Sequence, residues 1–128
     1  MKTRIRKAPQ TLLDPALHLR QMEDMEGAER ALSALIADYP EDLDLRVIYA
    51  GVLFNLQRFT EAALHFERIL TARPTSEVAS KGLFHSLWST ERKQEAVNEV
   101  KRFYAAGGES AEYNALVSRI RDALSNSD

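Results

Sequence analysis

The chain has 128 residues, a formal net charge of −2 and no cysteine. That length sets a single domain with a workable core. The mild acidity argues against a nucleic-acid surface, which needs concentrated basic charge. The missing thiols exclude disulfides, thiol nucleophiles and cysteine-based metal sites together.

In chain order, residues 1–8 carry Lys2, Arg4, Arg6 and Lys7 without an acid, and are expected to be a solvated, flexible tail. Their functional alternative is an electrostatic arm for an acidic partner. No apolar stretch of signal-peptide length follows them, and no run approaches a membrane span, so a cytoplasmic protein with no membrane partner is expected. Asp14-Pro15 reads as a helix start, with Asp at the cap and Pro at the first helical position. The first helix is therefore expected over about 15–24, with Leu12 and Leu13 folded back over the end of the molecule. A second helix is expected over about 26–37. Glu41 and Asp42 open a third, which runs to Leu56, because acids suit the positive end of the helix dipole.

Phe59 to Pro74 is the clearest stretch. Ala62, Ala63, Phe66, Ile69 and Leu70 recur at helical spacing and make one apolar stripe. Thr60 is the expected cap, and Pro74 stops the helix. Ser76 and Glu77 open a fifth helix that runs to Ser89. A sixth ends at Gly107-Gly108, where the first glycine suits a left-handed cap. Ser110 starts a seventh, with Tyr113, Leu116, Val117, Ile120 and Leu124 on one stripe; Asn126 to Asp128 are expected to fray.

The stretch also recurs. Met25–Pro40, Phe59–Pro74 and Lys93–Gly108 superimpose without a gap, each copy following the last at the same interval. Ala28, Ala62 and Ala96 align, as do Leu32, Phe66 and Val100, and then Leu35, Ile69 and Phe103. Such a period overrides an element-by-element reading. The aligned alanines have a physical reason, since two helices approach closely only where side chains are small.

A 34-residue period of two helices, with alanine early in the second helix, an aromatic or aliphatic residue four further on and proline at the end, resembles the tetratricopeptide repeat. The resemblance covers about residues 9–108 and implies an all-α, right-handed solenoid. Three helix-turn-helix repeats are expected at 9–40, 43–74 and 77–108, and residues 109–125 form a capping helix. The first repeat departs from the pattern at Asp14-Pro15. The third departs at Phe84, which stands where Ala16 and Ala50 are small.

The resemblance also implies a concave face lined by the first helix of each repeat. By register it includes Leu17, Arg20 and Gln21, then Val47, Gly51, Phe54 and Asn55, then Lys81, His85 and Trp88. Phe54 and Trp88 stand one period apart and read as a two-aromatic anchor site. The alternative for Trp88 is packing under the capping helix or in a hairpin core. The positions at which some relatives clamp a partner's C-terminal carboxylate are here Leu13, Leu17, Ile48, Val78 and Gly82, none of which donates a side-chain hydrogen bond.

The expected function is therefore a non-catalytic module that binds another protein or peptide. A bacterial toxin-immunity protein or a secretion chaperone is a more specific form of that reading. Self-association, as a homodimer, is the structural alternative. No cofactor or metal is expected: His18, His65 and His85 lie on three different helices in no ligand spacing. The acids at 23, 24, 26 and 29, and at 38, 41, 42 and 44, lack the pattern of a calcium loop.

Overall fold

The structure, a computed structural model, describes the backbone of residues 4–125 and the burial of residues 4–122. The expected fraying of Asn126–Asp128 lies outside the described residues. Seven helices and no strand occur among those described: α1 (Gln10–Gln21), α2 (Met25–Asp38), α3 (Leu43–Asn55), α4 (Phe59–Ala72), α5 (Glu77–Ser89), α6 (Lys93–Ala105) and α7 (Ala111–Ser125). α1 packs on α2, α3 on α4 and α5 on α6, giving three hairpins. α2 meets α3 and α4 meets α5, which stacks the hairpins in order, and α3 touches α5 directly.

Small residues set the approach within each hairpin. Ala28, Ala62 and Ala96 are all 0% exposed. One turn on, Leu32, Phe66 and Val100 are buried and fill the space between hairpins. Gly82 answers Phe66 across this seam: a Cβ there would sit 2.4 Å from the Phe66 ring.

The three turns inside the hairpins share one geometry. Glu23, Gln57 and Glu91, each one period after the last, have φ of 63°, 62° and 63°. Each sits just past a helix end. The next residue's N–H reaches back along the chain, from Asp24 to Leu19, Arg58 to Leu53 and Arg92 to Leu87, all at 2.9 Å. This closure supplies donors to otherwise unpaired carbonyls. α6 ends in the same way with the residue the geometry favours: Gly107 has φ 95°, and Gly108 N–H donates to the Phe103 carbonyl at 2.9 Å.

Helix starts follow the period too. Asp42, Ser76 and Ser110 precede α3, α5 and α7, and their side-chain oxygens accept from the N–H groups of Leu45, Ala79 and Tyr113 at 3.1, 3.3 and 3.2 Å. α7 is thus the first helix of a fourth period, set on the stack in the register of α3 and α5.

Two expected starts are corrected. α1 begins at Gln10, not near Pro15, and Pro9 stands before it. The Pro9 carbonyl accepts from the N–H groups of Leu12 and Leu13 at 3.0 and 3.1 Å. Pro15 lies inside the helix, where it removes one early backbone bond. Asp14 accepts from the Gln10 side-chain amide at 2.6 Å instead of capping. The earlier start brings Leu13 against the core while Leu12 stays half exposed. Thr60 is likewise inside α4, whose first residue is Phe59; Arg58 stands at the cap without a side-chain cap bond and pairs with Glu61 at 2.7 Å.

Residues 4–8 lie in no helix or strand; Arg4 to Lys7 are exposed and Ala8 is half-buried, and contacts join the segment to the fold. Ala8 N–H donates to Asp42 at 2.9 Å, Lys7 pairs with Asp44 at 3.2 Å, and the Arg6 guanidinium lies 5.0 Å from the Tyr39 ring centre. Asp42 therefore uses one carboxylate oxygen to cap α3 and the other to hold the N-terminal segment.

Candidate functional site

The inner helix of each hairpin carries the residues predicted for the concave face. Leu17, Val47, Gly51, Phe54 and Lys81 are half-buried, whereas Arg20, Gln21, Asn55, His85 and Trp88 are exposed. All ten thus reach the surface to some degree. A Cβ built on Gly51 would meet no described atom within 4 Å, so glycine leaves open space there.

The two aromatic positions differ in their support. Phe54 packs edge-on against Phe59 at 5.1 Å, across the turn of its own hairpin. Trp88 stacks on Phe84 with ring centres 5.8 Å apart and an interplanar angle of 22°. It remains 44% exposed. Lys93 Nζ lies 5.2 Å from the Trp88 ring centre, close enough for a cation–π contact. Phe84, the bulky departure in the third repeat, is the buried platform under Trp88 and meets Tyr113 of α7 edge-on at 5.9 Å.

Lys81 is engaged within the chain. Its ammonium pairs with Glu77 at 3.2 Å and Glu112 at 2.9 Å, tying α5 to α7. The hydrogen bond from Lys81 is the main reason the Glu112 carboxyl sits below its ordinary value. Beside this tie, α5 and α7 line a cavity of about 210 Å³, with Phe84, His85, Tyr113, Leu116 and Arg119 in its wall.

Arg119 is exposed, off the apolar stripe of α7, and the register reading of the face did not include it. It follows Leu17, Gly51 and His85 at the common period, so it occupies their place on α7. Carrying the period once past the third repeat, on the strength of Ser110 aligning with Ser76 and Asp42, would have found it.

Behind this face lie two buried polar clusters at equivalent places. In the second hairpin Arg46 is 2% exposed. One of its guanidinium nitrogens lies 2.8 Å from His65 Nδ1, and another donates to the Pro40 carbonyl at 2.6 Å. Among the described residues no carboxylate pairs with it, and its Nε has no partner. His65 must then be neutral with Nδ1 as the acceptor. Burial, the largest cause, and the Arg46 and Arg68 charges hold its pKa below the ordinary value.

In the third hairpin the same places hold Ser80 and Glu99. Ser80 donates to Glu99 at 2.6 Å and shares a 2.8 Å hydrogen bond with the Tyr113 hydroxyl. Arg102 forks onto Glu99 at 2.6 and 2.7 Å and reaches the Pro74 carbonyl at 3.0 Å. Burial pushes the Tyr113 hydroxyl up to about 12. Arg46 and Arg102 thus serve equivalent proline carbonyls from different helices.

His18 and His85 are exposed, and no three acidic or histidine side chains among the described residues could hold a metal ion. No helix among them is long and apolar enough to cross a membrane.

The hairpins, the periodic turns and the repeated seam define a helical-repeat protein, and the family model for the tetratricopeptide repeat matches residues 13–77. The chain belongs to the tetratricopeptide repeat family, whose repeats generally mediate protein–protein interaction and are typically non-catalytic. Among solved structures it is similar to a mutant of MamA, with 23% identity and a TM-score of 0.68 over 83% of this chain and 59% of that one. It is also similar to MamA AMB-1, with 27% identity and a TM-score of 0.65 over 80% of this chain and 56% of that one. The chain therefore spans less than two thirds of the length of either. No curated protein sequence matches it significantly.

Proposed function

We propose that this protein binds a polypeptide segment along the face formed by α1, α3 and α5, without changing it covalently. The observation that carries the reading is Trp88: a large ring held from behind by buried Phe84, yet 44% exposed. Aromatic anchors of this kind dominate interface energetics because they bury much area at little entropic cost. Val47, Gly51, Phe54 and Asn55 extend the face into the second repeat, and Leu17, Arg20 and Gln21 into the first. His85 lies beside Trp88, and Lys81 fixes α7 at the end of the face through Glu112. The face mixes apolar positions (Leu17, Val47, Phe54 and Trp88) with polar ones (Arg20, Gln21, Asn55 and His85), which suits an extended segment or one helix face.

The test is capture of a partner by the immobilised protein and by its Phe54→Ala/Trp88→Ala variant. Loss of an anchor of this size costs about 2 kcal/mol or more, enough to abolish retention through washing. The variant should keep the wild-type far-UV circular dichroism, because Trp88 is exposed and Phe54 only half-buried. Undiminished capture by a folded variant would move the binding face elsewhere. Sedimentation of the unliganded protein over a range of concentrations separates a bound partner from a second copy of the chain.

A further inference from the structure

We propose that the cavity between α5 and α7, with the Trp88 ring beside it, is a subsite for a bulky apolar side chain flanked by an acidic residue in the partner segment; this rests on the groove reading above. The inner wall is apolar: Phe84 and Tyr113 meet edge-on, and Leu116 completes it. Its volume is about 210 Å³. An apolar cavity of about 150 Å³ accepts a benzene ring, so this one admits a phenyl or branched aliphatic side chain. Phe84 lines the cavity and also supports Trp88, which itself stands outside the lining.

The charge at the mouth selects the flanking residue. Glu112 is the one acid in the cavity lining, and Lys81 already engages it at 2.9 Å. Arg119, on the same lining, has no carboxylate within ion-pair distance among the described residues, Asp122 on the next turn included. Arg119 holds on α7 the place that His85 holds on α5, and both line the cavity, with Trp88 about one turn beyond His85 on α5. A segment whose apolar side chain enters beside Trp88 would therefore carry its neighbouring residue past Arg119. A carboxylate there gains a planar, two-pronged donor. A lysine there would meet the like charge of Arg119 instead.

The experiment uses three fluorescein-labelled peptides of equal length with amidated C-termini. Each has a central Leu-Phe pair, flanked by aspartates in the first, serines in the second and lysines in the third. By fluorescence anisotropy the aspartate peptide should bind about fivefold more tightly than the serine one, the gain of a partly exposed ion pair, and the lysine peptide most weakly. Arg119→Gln should remove the preference for aspartate over serine. Ala115→Phe, which fills the cavity from an exposed position, should weaken all three. Equal affinity for the three peptides, a preference that survives Arg119→Gln, or indifference to Ala115→Phe would each overturn the subsite. If no peptide binds while Phe54→Ala/Trp88→Ala still loses its captured partner, the subsite is wrong and the groove reading stands. If the peptides behave as expected but that variant keeps its partner, the groove reading fails by itself.

Discussion

Replacing Glu23, Gln57 and Glu91 by glycine should stabilise the protein. Each has φ of 62° or 63°, where a side chain crowds its own backbone. The left-handed conformation costs an L-residue about 1–2 kcal/mol. Glycine relieves that strain but adds roughly 0.4–1 kcal/mol of chain entropy to the unfolded state. The net gain is about 0.5–1 kcal/mol per site. Little is lost in return: all three side chains are exposed, and the one ion pair, Glu91 with Lys93 at 3.4 Å, is solvated on both sides. The sites lie in separate turns and share no side-chain partner, so their effects should add. The triple variant should gain about 1.5–3 kcal/mol, or roughly 5–10 °C in melting temperature for a chain of this size. Urea unfolding followed by far-UV circular dichroism measures it, with an unchanged slope showing that the exposed surface is the same. Gly107→Ala is the control of opposite sign, because it puts a side chain at φ 95°. A triple variant that unfolds at or below the wild-type midpoint would refute the strain argument.

Two other outcomes follow from buried contacts. His65 is held neutral, with a pKa below its ordinary value, by burial and by Arg46 and Arg68. The unfolded chain then binds the extra proton first, so this contribution is complete above about pH 6.5 and is lost as pH falls below it. The urea midpoint of the wild type should drop more between about pH 7.5 and pH 5 than that of His65→Gln; parallel profiles would refute the neutral assignment. Gly82→Ala should cost about 1–3 kcal/mol, since its Cβ would stand 2.4 Å from the buried Phe66 ring. An unchanged urea midpoint would show that Phe66 has room to move.

The fold was legible because its causes are periodic. The alanines at 28, 62 and 96 mark where helices must touch, and the breakers at 40, 74 and 108 mark where they must end. The helix openings at Asp42, Ser76 and Ser110 were legible from local chemistry, since acids and hydroxyls suit a helix N-terminus. The misreadings were local. Asp14-Pro15 has the chemistry of a helix start, yet a proline this early costs one backbone bond, and the packing of Leu13 outweighs it. Thr60 has the chemistry of a cap, but the hairpin turn delivers Arg58 to that position. The left-handed residues carry no signal of their own, because Glu23, Gln57 and Glu91 stand where glycine would have announced the turn. Of the candidate site, the ten positions taken from register on α1, α3 and α5 are all exposed or half-buried. The engagement of Lys81 by Glu112 was not legible, because it joins elements that no local pattern relates. Nor was the buried Arg46–His65 pair, since arginine in a helix ordinarily signals a solvated side.

The main helix contacts join elements next to each other along the chain, α3 with α5 being the widest step. A molecule built this way has the mechanics of a short coil spring. Any bending would be shared over several seams, since among the described helices none packs along the full stack. Phe54 and Trp88 belong to successive coils, so the gap between them is elastic. A guest that grips both rings would draw the coils to its own pitch, and the stiffness of the Phe66–Gly82 seam would set how far it could do so.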